Sequence, residues 1–238
     1  MNIAIIFAGG AGQRMNTRTK PKQFLELHGK PIIVYTLEHF QKHKWIDGMI
    51  VVCIREWIDY CRELVTKYQL TKVVDVIPGG DTGQQSIYYG VSCAKSLYEN
   101  DTVILIHDGV RPLVDEDIIT KIIEGVKMKG SAITVAPVVE TIVMKGKNGE
   151  ISQIIDRSLC QLAKAPQGFF LGDIFEAHQK ALKEEKSDFI DSASLMKHYG
   201  HTLFAVEGSE ENIKITKPSD FYIFRAIEDA RENSQIFG

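Results

Sequence analysis

The chain starts with an unbroken apolar run, Ile3-Ala4-Ile5-Ile6-Phe7-Ala8. It passes directly into Gly9-Gly10-Ala11-Gly12-Gln13-Arg14-Met15 and then Lys20-Pro21-Lys22-Gln23. A run of this kind reads as a strand buried on both faces, which a sheet achieves only with helices packed above and below it. Glycines at its exit let backbone N–H groups approach phosphate oxygens closely, and Arg14 and Lys22 add positive charge at the same place. The opening residues therefore read as a triphosphate cradle.

Spacing separates this loop from two better-known glycine loops. A P-loop requires a Gly-Lys-Ser/Thr ending, which the sequence lacks. A dinucleotide fingerprint requires Gly-x-Gly-x-x-Gly, but Gly10-Ala11-Gly12 is followed by Gln13, Arg14 and Met15. A tight turn without a ligand remains as the alternative, and it leaves Arg14 and Lys22 without a reason.

The rest of the chain keeps up the alternation. The apolar pattern predicts a helix over 31–43, a strand over 48–54, a helix over 57–68 and a strand over 72–77. Gly79-Gly80-Asp81 opens a loop feeding a helix to about Leu97, and a strand over 102–106 ends at His107-Asp108. Strands alternating with helices imply an α/β fold, doubly wound around a mostly parallel sheet. After 131–137 the rhythm breaks. Thr141-Ile142-Val143-Met144 and Ile151-Ser152-Gln153-Ile154-Ile155 flank Lys145-Gly146-Lys147-Asn148-Gly149, the pattern of a β-hairpin. Its exposed edges need covering, and a second copy of the chain would cover them, so residues 138–161 are expected to form a dimer arm; a lone surface flap is the alternative. Helices over 173–183 and 192–199, a strand over 202–206, an extended run over 212–216 and a helix from Pro218 to about Glu232 complete the reading.

With 238 residues, the chain suits a single domain with an inserted arm better than two independent domains. A net charge of −3 argues against a general nucleic-acid or membrane binder. Four scattered cysteines without a Cys-x-x-Cys pair argue against a metal cluster. No basic segment followed by a long apolar stretch and a cleavage site opens the chain, so a cytoplasmic location with reduced thiols is expected.

Ligands of parallel α/β sheets gather at the carboxyl ends of the strands. The glycine loop after Ala8, the Gly79-Gly80-Asp81 loop and Asp108-Gly109 all lie at such exits and are expected to share one cleft. Asp108 leaves a buried strand toward bound phosphates and would repel them unless a hard cation such as Mg²⁺ lay between, so it is the expected metal ligand. Pairing with Arg111 or capping the next turn is its structural alternative. His107 reads as a core histidine and Arg111 as a brace for the loop.

These motifs resemble a family. Ala8-Gly9-Gly10-Ala11-Gly12-Gln13-Arg14-Met15, Pro21-Lys22-Gln23-Phe24-Leu25, Gly79-Gly80-Asp81 with Ser86, His107-Asp108-Gly109-Val110-Arg111-Pro112, Ala165-Pro166-Gln167 and Glu211-Asn212-Ile213-Lys214-Ile215-Thr216 are similar to the cytidylyltransferases acting on sugar-alcohol phosphates. That group comprises 2-C-methyl-D-erythritol 4-phosphate enzymes of isoprenoid synthesis and D-ribitol-5-phosphate enzymes of wall and capsule polymer synthesis. The resemblance implies a Rossmann-like nucleotidyltransferase fold and transfer of CMP from CTP to a polyol phosphate with release of pyrophosphate. It implies catalytic roles for Arg14, Lys22 and Lys214, and a nucleotide pocket of Ala8, Gly9, Gly10, Gly12, Gly80, Asp81, Ser86, Asp108 and Gly109. It also implies polyol-side contacts from Thr141 and Arg157, the latter reaching a neighbouring subunit's site.

Gly83, Ala165 and Ile190 stand where the methylerythritol branch carries an arginine and two threonines. Together with Phe7-Ala8-Gly9-Gly10 and the arm sequence, these departures bring the chain nearer the ribitol-phosphate branch. Modules of that branch are fused to a reductase that makes ribitol 5-phosphate, or work beside one; none fits in this chain, so a separate reductase is the expected supplier. The competing reading within the class is a methylerythritol-phosphate enzyme. Outside it, a nicotinamide-dependent reductase lacks its third glycine and its Tyr-x-x-x-Lys pair, and a non-catalytic nucleotide binder would not need Lys22, Asp108 and Lys214 together.

Overall fold

Apolar side chains on both faces of the central strands set the architecture. In the computed structural model, which describes residues 1–9 and 20–237, β1 (Asn2–Ala8) points Ile3 and Ile5 into one hydrophobic layer and Ala4, Ile6 and Ala8 into another. A small antiparallel pair follows, β2 (Glu26–Leu27) with β3 (Lys30–Pro31). Then come α1 (Ile32–Lys42), β4 (Gly48–Cys53), α2 (Ile58–Lys67), β5 (Val73–Pro78), α3 (Gly83–Leu97) and β6 (Val103–Asp108). Every residue of β4 and β6 is buried, as strands sandwiched between helical layers require.

The second half contains α4 (Glu116–Lys129), β7 (Ser131–Pro137), β8 (Ile142–Lys145), β9 (Ile151–Ile155), β10 (Gln161–Phe170), α5 (Leu171–Lys183), α6 (Ser192–His198), β11 (Ala205–Glu207) and α7 (Pro218–Phe237). Seven strands form the main sheet in the order β11-β7-β10-β6-β1-β4-β5. All its pairings are parallel except those of β10, which runs antiparallel between β6 and β7. The fold is the doubly wound, mostly parallel, Rossmann-like sheet expected. One layer packs α1, α2 and α4 on it; the other packs α3, α5 and α6. A third, separate cluster brings together Phe224 of α7 with Leu27, Ile32, Val110 and Ile215.

Several elements differ from the sequence reading, the β2–β3 pair among them. Helix α4 was not anticipated, although its signals are strong. Asp115 caps it by accepting from the Ile118 N–H at 2.8 Å, Ile118, Ile119, Ile122, Ile123 and Val126 form its buried stripe, and Gly130 ends it at φ 85°. Strand β10 also went unread, because a proline at its centre argues against a strand enclosed on both sides. An irregularity in the ladder around Pro166 accommodates it. The expected hairpin is present as β8 and β9, paired from Ile142↔Ile155 to Lys145↔Ile151. The run 212–216 forms no strand.

His178 on α5 is buried beside the Tyr88 ring, with Nε2 unpartnered, and burial lowers its pKa to about 4. The unfolded chain binds this proton near pH 6.5 and the folded chain only near 4, so stability falls as pH drops through that window. His178→Leu should reduce the loss between pH 6.5 and 4 by about 3 kcal/mol in urea titrations. An unchanged loss would rule out this linkage.

Candidate active site

Three strand exits and one irregular segment build the site. At the end of β1, the Gln23 side chain donates to the Ala8 carbonyl at 2.6 Å, drawing the short 3₁₀ turn Lys22–Phe24 against the strand. Lys22 Nζ reaches across to the Ile215 carbonyl at 3.0 Å. Two residues so distant in sequence meet because Ile215 belongs to the segment joining β11 to α7, and that segment is tied to the β6 exit by its N–H on the Val110 carbonyl.

The β5 exit approaches the same place. Gly79 donates to the Cys53 carbonyl at 2.7 Å, and the chain then turns into α3, whose cap Thr82 accepts from the Gln85 N–H. Ser86 Oγ accepts from the Gly80 N–H at 3.1 Å and donates to the Thr82 carbonyl at 2.9 Å, fixing the glycine loop. A side chain on Gly9 would put its Cβ 2.9 Å from Ser86 Oγ, so the two glycine loops touch and a larger residue there would displace Ser86. Asp81 is exposed at the rim, its N–H on Gln85 Oε1 at 2.8 Å.

At the β6 exit, the Gly109 N–H bonds the Phe7 carbonyl at 3.0 Å, and its own carbonyl accepts from Thr36 at 3.1 Å. Asp108, with its side chain 7% exposed, holds Lys214 Nζ on Oδ1 at 2.5 Å and Arg111 Nε on Oδ2 at 2.8 Å. Burial pushes its carboxyl up, but the Lys214 and Arg111 charges prevail and hold it below the usual carboxylate range. Arg111 extends to the Asn212 carbonyl at 2.9 Å and so braces the loop, as expected. His107 faces the Phe40 ring, and burial lowers its pKa to about 3, which favours the neutral ring.

The structure thus brings together Ala8, Gly9, Lys22, Gly80, Ser86, Asp108, Gly109 and Lys214. Gly10, Gly12 and Arg14 lie outside the described residues. Thr141 and Arg157 sit at the base of the arm instead, where Arg157 donates to the Val139 carbonyl at 2.5 Å. Sequence reasoning gave no role to Gln23, Thr36 or Asn212. For Gln23, the adjoining Pro21-Lys22 was the available signal; nothing marked Thr36. Among the described residues no cluster of three or more His, Cys, Asp or Glu side chains is placed to hold a metal, and no helix is long and apolar enough to cross a membrane.

Chemically, the Lys22, Arg111 and Lys214 side chains stand with the Asp108 carboxylate at the strand exits. Cations grouped at strand exits suit a polyanion and the charge that builds up during phosphoryl or nucleotidyl transfer. Fold and site together define a nucleotidyltransferase. Residues 2–229 match the family described as IspD, 2-C-methyl-D-erythritol 4-phosphate cytidylyltransferase, and the chain belongs to it.

Among its relatives, the ribitol-5-phosphate cytidylyltransferase of Streptococcus agalactiae serotype III is 52% identical over 238 residues, the whole of both chains. A 2-C-methyl-D-erythritol 4-phosphate cytidylyltransferase of Clostridium novyi is 37% identical, covering 95% of this chain and 96% of its own. The crystal structure of 4-diphosphocytidyl-2C-methyl-D-erythritol synthase from Anaerococcus prevotii superposes with a TM-score of 0.80 at 24% identity, over 96% of this chain and 98% of that one, a likeness of fold.

The two cations on Asp108 differ in burial, and this sets a prediction. Asp108→Asn leaves Arg111, only 12% exposed, without its counter-charge and should cost about 3 kcal/mol in urea unfolding. Lys214→Met removes a partner that is 38% exposed and should cost under about 1 kcal/mol. Equal losses would contradict this division.

Proposed function

We propose that this chain transfers CMP from CTP to D-ribitol 5-phosphate, forming CDP-ribitol and releasing pyrophosphate. The convergence of Lys22, Asp108 and Lys214 carries the reaction class. The 52% full-length identity to a relative bearing the ribitol name, against 37% to one bearing the methylerythritol name, favours the polyol.

In this reading an oxygen of the ribitol phosphate attacks the α-phosphorus of CTP. A new P–O bond forms, the bond to the bridging oxygen of the β-phosphate breaks, and pyrophosphate leaves with that electron pair. The nucleophile is already anionic, so the chain needs no general base; it aligns the two anions and offsets their repulsion. Lys22 and Lys214 neutralise the charge around the α-phosphate, Arg14 is assigned to the triphosphate, and Ala8, Gly9, Gly10, Gly12, Gly80, Asp81, Ser86 and Gly109 line the nucleotide pocket.

Asp108 is assigned to Mg²⁺. Each of its oxygens holds one cation and keeps a further lone pair, so this donor set fits a hard ion that draws most of its ligands from phosphate and water. Bound there, Mg²⁺ supplies charge neutralisation to the triphosphate. Incubating the protein with CTP, Mg²⁺ and either polyol phosphate, with pyrophosphate as the readout, tests the assignment. Turnover is expected with D-ribitol 5-phosphate; turnover with 2-C-methyl-D-erythritol 4-phosphate alone would transfer the chain to the other branch.

We further infer a homodimer in which residues 138–161 of one catalytic domain lie against the other, bringing Thr141 and Arg157 to its polyol phosphate. Exposed Val143, Met144, Ile151, Ile154 and Leu159 support this, since so much apolar surface on one hairpin marks a contact face. A cytoplasmic location and a separate reductase supplying ribitol 5-phosphate complete the proposal. Ile154→Glu with Leu159→Glu should convert a dimer to monomers in sedimentation velocity and lower turnover; a monomeric wild-type protein would refute the arm's role.

A further inference from the structure

The ladder between β10 and β7 is broken where the chain most needs support. Ala163 lies opposite Val135 and Gln167 opposite Ile133, so Lys164, Ala165 and Pro166 all face Thr134 alone. This bulge frees three backbone carbonyls from the ladder, and a side chain captures each of them. Gln167 Nε2 donates to the Lys164 carbonyl at 3.3 Å, Asn212 Nδ2 to that of Ala165 at 2.7 Å, and Thr134 Oγ1 to that of Pro166 at 2.6 Å. A bulge with all its carbonyls satisfied in this way is a built feature that redirects a side chain.

Lys164 is the side chain it redirects. Its Nζ donates to the Ser209 carbonyl at 3.2 Å and the Glu210 carbonyl at 2.9 Å. These belong to the segment between β11 and α7, which has no ladder of its own and carries Lys214 a few residues further on. Lys164 and Asn212 tie this segment to β10, and Arg111 ties it to the β6 exit through the Asn212 carbonyl. An ammonium suits this place because its three donors on a long stem can hold two carbonyls at once.

We propose that Lys164 is a positioning residue for Lys214: the β10 bulge clamps residues 209–212, and the clamp sets where the Lys214 ammonium stands in the cleft. The inference rests on the cytidylyltransferase reading for its kinetic consequence but not for its structural one. A misplaced charge loses transition-state alignment before it loses ground-state binding, so the effect belongs mainly to kcat.

The test compares full-length wild type with Lys164→Met, Lys164→Gln and Lys164→Arg by hydrogen-exchange mass spectrometry and by steady-state kinetics with CTP and D-ribitol 5-phosphate. In Lys164→Met, kcat should fall about tenfold or more while both KM values stay within about twofold. Exchange over 209–214 should quicken by about tenfold, with the rest of the sheet unchanged. Lys164→Arg should recover most of both effects, and Lys164→Gln, which remains available if the Met variant does not fold, should fall between. Wild-type kcat and exchange in Lys164→Met would overturn the proposal. So would a raised KM with unchanged exchange, which would make Lys164 a substrate contact. If the wild-type protein turns over neither polyol phosphate, the proposed function fails. Exchange alone then decides the clamp, with faster exchange supporting it and unchanged exchange overturning it.

Discussion

A carboxylate at the end of a buried strand must be matched by positive charge, and much of this molecule's functional half is arranged around meeting that demand at Asp108. β6 is buried throughout, so the carboxyl cannot be left to water. Arg111 meets one oxygen from three residues on, as a tight loop allows, and Lys214 meets the other from the far end of the chain. The second pairing holds the irregular segment before α7 over the strand exits. Lys22 then joins the group through the Ile215 carbonyl. One desolvated acid thereby holds Arg111 and Lys214, and the segment that carries Lys214 also receives Lys22, so cations from three separate stretches of sequence stand together at the strand exits.

The parallel core was legible because its strands are continuous apolar runs and its helices have apolar stripes, signals that depend only on local sequence. Site residues at strand exits were legible for a related reason: once Ala8, Pro78 and Asp108 are strand ends of one parallel sheet, their neighbours must share an edge. Strand β10 was not legible. Its place between β6 and β7 depends on long-range pairing, and the side chains that make a proline tolerable there, Thr134 and Asn212, lie far away in sequence. Helix α4 is a different case, since its cap, stripe and terminal glycine were all local and readable.

Thr141 and Arg157 mark where a single chain's sequence runs out. Both lie near the arm base, beside a hairpin whose exposed residues include Val143, Met144, Ile151 and Ile154, and Arg157 donates to the Val139 carbonyl. An exposed β-hairpin with apolar residues and free edges has more in common with half of an interface than with a finished surface. Their roles are therefore questions about assembly, and the resemblance to a family assigned them where periodicity and spacing could not.

The unequal burial of the two ion pairs also bears on how the site can work. Arg111 is nearly enclosed and is further committed to the Asn212 carbonyl, so releasing it would strand a desolvated charge. Lys214 is more than a third exposed, and water can take over part of its solvation while it moves. A partly exposed cation is the cheaper of the two to detach from its carboxylate, because water offsets part of the lost contact. The fold places the enclosed cation on the short loop after β6 and the more exposed one on the segment between β11 and α7. Asp108 would keep its enclosed Arg111 pairing even where Lys214 exchanges its own for water, so the two contacts are broken at unequal cost.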